Sequence, residues 1–120
     1  MFMKNASVII IALFFSVNLS AQEALAGIWL TGEQNTKIET YQKDGKWYGK
    51  IISSDNPKAK IGTDILREFK KEKGQWEGKI FAAKRGKILD AKIIPEEDAL
   101  QISVSAGIFK RNLKWKKLND

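Results

Sequence analysis

The chain has 120 residues, with 21 Lys and Arg against 14 Asp and Glu, a net charge of +7, and neither histidine nor cysteine. That length suits one domain with one core. The missing side chains exclude histidine triads, thiol nucleophiles, disulfide staples and almost all zinc sites, so the fold must hold by packing alone.

Residues 1–5 carry a single charge, Lys4; Ala6 to Val17 are then almost wholly apolar, and Asn18-Leu19-Ser20-Ala21-Gln22 are polar or small. This order is that of a secretory signal. The apolar run falls short of the roughly 20 residues that a spanning helix wants, which disfavours an uncleaved anchor. Cleavage is expected after Ala21, giving a signal over 1–21 and one domain over 22–120. A cut after Ala26 also fits the small-x-small pattern but would trim the first strand. The product is expected to be exported, periplasmic or secreted, and monomeric, with no membrane span left after cleavage. All 14 acids and 20 of the 21 basic residues lie beyond Ala21, leaving a net charge of +6. Without cysteine it can take no lipid at a cysteine.

Beyond the signal, turn residues recur at short intervals and the stretches between them alternate polar and apolar, as half-buried strands do. Gly27-Ile28-Trp29-Leu30-Thr31 opens the domain and Gly32 to Asn35 break it. Residues 36–42 and 46–53 flank Asp44-Gly45, a favoured two-residue hairpin turn. A tight turn there sets Glu39 opposite Lys50, Ile38 opposite Ile51 and Tyr41 opposite Tyr48, each a matched pair. Residues 54–63 form the main loop. Asp64 to Phe69 is a short strand followed by a charged turn, Lys70-Lys71-Glu72-Lys73-Gly74. Residues 75–82 and 87–94 pair around Lys84-Arg85-Gly86. Pro95 to Asp98 turn the chain, 99–105 is a strand, and Phe109 to Leu118 is the last. No segment carries a 3.6-residue period. About eight short antiparallel strands predict an all-β sandwich or closed barrel.

Trp47-Tyr48-Gly49-Lys50-Ile51 and Trp76-Glu77-Gly78-Lys79-Ile80 share the pattern Trp-x-Gly-Lys-Ile. With each lysine in water, Trp, Gly and Ile face inward, and a glycine there admits a bent strand or a bulky neighbour. The expected lining is Trp47, Gly49, Ile51, Trp76, Ile80, Leu89, Ile93, Leu100, Ile102 and Trp115.

Together, Gly27 to Thr31, Asp44 to Ile51, Asp55-Asn56-Pro57, Trp76 to Ile80, Gly86-Lys87 and Arg111 to Trp115 resemble the small exported family labelled domain of unknown function 2147. The resemblance covers nearly all of the domain. It implies a lipocalin-like, up-and-down antiparallel barrel, whose superfamily is similar in its Gly-x-Trp start. Here the loop after Asn56 is shortened, Ala82-Ala83 replace an Asp-Pro, and Leu89 and Lys117 replace a Tyr and a terminal Arg.

Catalysis has little to work with: carboxylates alone could act in pairs. Glu96-Glu97-Asp98 lies in a turn, Asp55-Asn56-Pro57 is a turn signal, and nothing marks Asp55 and Asp64 as a matched acid and base. No catalytic residue, metal ligand or cofactor is assigned. Lys110, Arg111, Lys114, Lys116 and Lys117 crowd the last strand, and Lys84, Arg85 and Lys87 a turn. With Phe109 and Trp115 interleaved this is the composition of a nucleic-acid surface. For an exported protein, lipid phosphates, acidic polysaccharide or lipopolysaccharide are nearer partners than nucleic acid, and a merely soluble exterior is the plainest reading.

In the last strand Arg111, Leu113, Trp115 and Lys117 share one face, which the apolar pair marks as inward. A cation there needs a partner. Either it caps the closed end, stacked on Trp29, or it answers the charge of an anionic ligand such as a fatty-acid carboxylate. Arg111, Lys117, Trp29, Trp47, Trp76 and Trp115 are therefore the candidate ligand-binding residues. Two functions follow: a carrier of a small apolar or amphipathic ligand, or a module whose basic face docks on anionic envelope material. A cavity above roughly 300 Å³ with an open mouth favours the first. A filled interior favours the second, and an exposed Arg111 removes the buried counter-charge.

Overall fold

Alternation between turn signals becomes eight antiparallel strands in the computed structural model, which describes residues 24–119. The expected signal over 1–21 lies outside the described residues. The strands are β1 (Ile28–Leu30), β2 (Lys37–Lys43), β3 (Lys46–Ser53), β4 (Asp64–Glu72), β5 (Gln75–Ala82), β6 (Lys87–Pro95), β7 (Ala99–Ala106) and β8 (Phe109–Lys117). Each pairs with the next, and β8 returns to β1 through Trp29↔Lys117 and Leu30↔Lys116, so the sheet closes into a barrel. Closure leaves no strand edge exposed.

The first hairpin has the expected register, with Glu39 opposite Lys50, Ile38 opposite Ile51 and Tyr41 opposite Tyr48. Asp44 and Gly45 both take positive φ, 54° and 78°, which matches the twist of the flanking strands. Lys73 and Gly74 repeat this with 51° and 81°. Only those two residues are needed to reverse the chain, so β4 runs on to Glu72 and the expected turn over Lys70–Gly74 is shorter than its charges suggested. Charge alone does not end a strand whose outer face meets water.

A bulge in β4 departs from simple alternation. Arg67 pairs with Lys79 and Lys70 with Glu77, so Glu68 and Phe69 share the place opposite Gly78. Glu68 absorbs the extra residue at φ 56°. Leu66 and Phe69, three apart, consequently both point into the core. Gly78 makes that possible: a Cβ there would sit 2.6 Å from Phe69 Cγ and 2.8 Å from the Arg67 carbonyl oxygen. Gly49 plays the related part in β3, where a Cβ would meet Ile38 Cγ2 at 2.9 Å. The repeated glycine thus leaves room for a neighbour's side chain, as its inward position predicts.

Of the expected lining, Trp47, Ile51, Trp76, Ile80, Ile93, Leu100, Ile102 and Trp115 are buried, while Leu89 is half-buried against them. Connections in an up-and-down barrel alternate between its ends. Residues 31–36, 54–63, 83–86 and 107–108 therefore lie at one end, and the turns at 44–45, 73–74 and 96–98 lie at the other with the segment preceding β1.

Candidate functional site

The inward faces fill the barrel. Large side chains project from all sides of the ring, and the gap among Leu25, Thr40, Trp47, Tyr48, Leu66, Phe69, Ile93 and Leu100 holds about 190 Å³ of space between atoms with no room for a water molecule. No cavity of ligand-pocket size opens there. Trp47 is one of the residues lining this gap, and its Nε1 is, among the described residues, the one buried side-chain nitrogen or oxygen lacking a hydrogen-bond partner. Trp76 and Trp115 join the same buried cluster.

The end that carries the chain's entry is closed. Leu25, 1% exposed, sits beneath the first strand, and its carbonyl accepts hydrogen bonds from Trp29 Nε1 (3.2 Å) and Thr40 Oγ1 (2.6 Å). Thr40 Oγ1 in turn accepts from Gly27 N at 3.0 Å. Lys117 Nζ lies 6.0 Å from the centre of the Trp29 ring. Lys117 is itself exposed, so its ammonium stands over the indole while keeping its access to water. This is the arrangement of the cap and not of a pocket-lining cation. Leu25 was missed because it precedes the first recognisable strand, in a stretch with no alternation to place it.

Arg111 does not enter the interior. It stands opposite Val104 on the inward side of the pleat, as alternation requires, yet it is exposed. The reason is depth: β8 begins at the open end, and Arg111 is only its third residue, so the side chain meets water above the core. Arg111 and Lys117 are thereby parted to opposite ends of one strand. The expectation that an inward-facing Arg111 lies buried is corrected.

The open rim is where unspent chemistry collects. Residues 81–89 and 106–113, which build the rim on the β5–β8 side, contain Lys84, Arg85, Lys87, Lys110 and Arg111 and no carboxylate. None of these five cations is in a salt bridge among the described residues. Arg85 lies 5.4 Å from the centre of the Phe109 ring, tying the β5–β6 connection to the start of β8. Down the outer face of β8, Lys110, Lys114 and Lys116 stand opposite Ser105, Gln101 and Ala99, neutral residues that leave the stripe basic. Lys114 alone has an acid near it, Glu96 at 3.9 Å.

Asp55, Glu96 and Asp64 each have a structural partner. Asp55 accepts from Asn35 Nδ2 at 2.6 Å, tying two loops of the open end, and Glu96 accepts from Gln101 Nε2 at 3.3 Å. Asp64 accepts from the Tyr41 hydroxyl at 2.7 Å. Loss of water raises the Tyr41 phenol, and the Asp64 hydrogen bond adds to this, up to about 12. A phenol so held stays neutral in the fold, and its support is complete below about pH 10 and lost as pH rises toward about 12. Among the described residues no group of three or more Asp, Glu, His or Cys is gathered to hold a metal ion.

An eight-strand antiparallel barrel, closed at one end by a tryptophan under a cation, is a lipocalin-like fold. A solved structure described as "Protein HP1028 from the human pathogen Helicobacter pylori belongs to the lipocalin family" superposes with a TM-score of 0.65 and 24% identity, over 80% of this chain and 84% of that one. The chain belongs to the family described as uncharacterized proteins conserved in bacteria, DUF2147, whose model matches residues 27–117. No curated protein sequence matches significantly.

Proposed function

We propose that this protein is an exported, non-enzymatic docking module that binds anionic envelope material through the basic rim and outer stripe of β5–β8. One observation carries the reading: the barrel interior is filled, while five cations outside any salt bridge share the β5–β8 side of the rim, whose residues 81–89 and 106–113 contain no acid. A carrier concentrates its recognition inside a cavity; here the interior is occupied by the chain's own side chains. Exposed cations without acidic neighbours give a positive potential that draws polyanions, with a strength that salt screens. The likeness to a lipocalin fold, with the unpartnered Nε1 of Trp47, a residue that lines the internal gap, supports a second reading, a small hydrogen-bond acceptor admitted by local opening.

The test pairs a polyanion with a search for cargo. Protein retained on an immobilised polyanion should elute with salt, and Lys110→Glu with Lys114→Glu should elute at clearly lower salt while its melting temperature holds. Native mass spectrometry of protein from its own host should find no bound small molecule. A lipid carried through purification, or retention indifferent to both charge reversals, overturns the docking reading in favour of the carrier.

A further inference from the structure

Apolar residues stand in water at the same rim. Ile108 is 103% exposed and Phe109 61%; the first lies in the β7–β8 connection and the second opens β8 directly after it. Ile88, 52% exposed, lies on the second residue of β6 near the same end. The turn does not ask for this. Ala106 pairs with Phe109 around Gly107 and Ile108, and Gly107 supplies the positive φ of 64° that the reversal needs. Ile108 occupies the other central position, where small polar residues are the ordinary choice. An isoleucine held wholly in water contributes nothing to packing.

Charge surrounds this tip on one pattern. Arg85 is stacked on Phe109, and Lys84, Lys87 and Lys110 lie within three residues of the two connections, with no acid among them. Apolar tip and cationic collar match the layers of a bilayer surface, where acyl chains take the one and lipid phosphates the other. A soluble polyanion would use the collar and leave the tip in water.

We propose that the β7–β8 turn is a membrane-docking tip: Ile108 and Phe109 enter the acyl boundary of a bilayer bearing anionic lipid, with Arg85 and its neighbouring lysines at the level of the phosphates. This rests on the docking reading above and deepens it by naming a bilayer as the partner. Removing a fully exposed isoleucine from such an interface should weaken partitioning about 10-fold or more. Each cation of the collar should contribute about 5-fold.

The experiment compares the full chain with Ile108→Ser and with Ile108→Ser/Phe109→Ser on phosphatidylcholine vesicles with and without phosphatidylglycerol, and on the immobilised polyanion. Parent and variants share the same N-terminal segment, so differences between them read the tip. Serine suits the turn position, and unchanged circular dichroism melts keep folding out of the comparison. The expected result is binding to the anionic vesicles that falls about 10-fold in the single variant, with salt elution from the polyanion unaltered. Ile108→Trp gives an independent readout. The four native tryptophans are buried, so added vesicles should shift the new indole's emission to the blue. Vesicle binding unchanged in both serine variants, or emission unmoved in Ile108→Trp, overturns the membrane tip. If the parent binds the polyanion and not the vesicles, the tip falls and the docking module stands. If it binds neither, both fall.

Discussion

The two ends of the barrel begin from the same alternation and finish differently. At the closed end, Leu25 and Trp29 are both 1% exposed, and one hydroxyl, Thr40 Oγ1, knits the preceding segment to β2. At the open end, inward-side positions run out of partners: Phe109 and Arg111 occupy the inner pleat of β8 and still face water. The pleat decides which side of the sheet a residue takes. How deep it lies depends on what stands across the barrel and how far along the strand it sits. Stability should therefore concentrate at one end and binding at the other.

The sharpest way to break this division is to empty the closed end. Trp29→Ala should cost about 3–5 kcal/mol, because a large buried side chain leaves a cavity that its neighbours cannot fully close. Urea unfolding would measure it, with Ile108→Ser beside it expected to fall within about 0.5 kcal/mol of the parent. Equal losses from the two variants would erase the distinction between the ends.

A second test asks whether the wall between the ends is as tightly built as its glycines imply. Gly78→Ala should destabilise by about 1–3 kcal/mol, near the top of that range, since its new methyl meets a backbone oxygen and the wholly buried Phe69 ring. Gly49→Ala should cost less, because its new methyl meets side-chain atoms of Ile38 and Leu66 at 2.9–3.2 Å and no backbone oxygen. Phe69→Leu should rescue part of the Gly78→Ala loss and none of the Gly49→Ala loss, the non-additivity that direct contact produces. A reversed order of the two glycine variants would mean that the β4 bulge yields more easily than its geometry suggests.

These particular residues also mark how far the sequence could be read. The first hairpin was legible because Asp44-Gly45 fixes both a turn type and a register, and Trp-x-Gly-Lys-Ile was legible because two copies agree on which face is inward. Leu66 and Phe69 were not, since strict alternation puts residues three apart on opposite faces and only the bulge at Glu68 reunites them. The facing Gly78 is the one sequence signal that could have pointed there. At the site, the basic character of β8 was plain, but alternation could not separate Arg111 from Lys117, which share its inward side. Their separation arises from strand position relative to a closure made by residues as remote as Leu25. Ile108 went unnoticed among turn residues, though an isoleucine beside a turn glycine is itself a signal.

That pair of cations gives the finest test, with small effects of opposite kind. Lys117 holds its ammonium over Trp29, 6.0 Å from the centre of the ring. Lys117→Ala should lower stability by about 0.5–1 kcal/mol, the range for an exposed cation–π contact. Its position at the closed end predicts little change in binding to anionic vesicles. Arg111→Ala should do the reverse: stability within about 0.5 kcal/mol of the parent, as for an ordinary surface site, and vesicle or polyanion binding weaker by about 5-fold. Added salt separates the two causes further. Screening should shrink the binding deficit of Arg111→Ala, because that deficit is a long-range attraction to phosphate. It should leave most of the Lys117→Ala stability loss, because the ammonium stands 6.0 Å from the ring centre, inside the screening length of about 8 Å at physiological salt. If Arg111→Ala instead destabilises the barrel, the arginine is holding the rim together and the open end is less free than its exposure implies. If Lys117→Ala weakens binding as much as Arg111→Ala, the closed end takes part in docking and the division between the two ends fails.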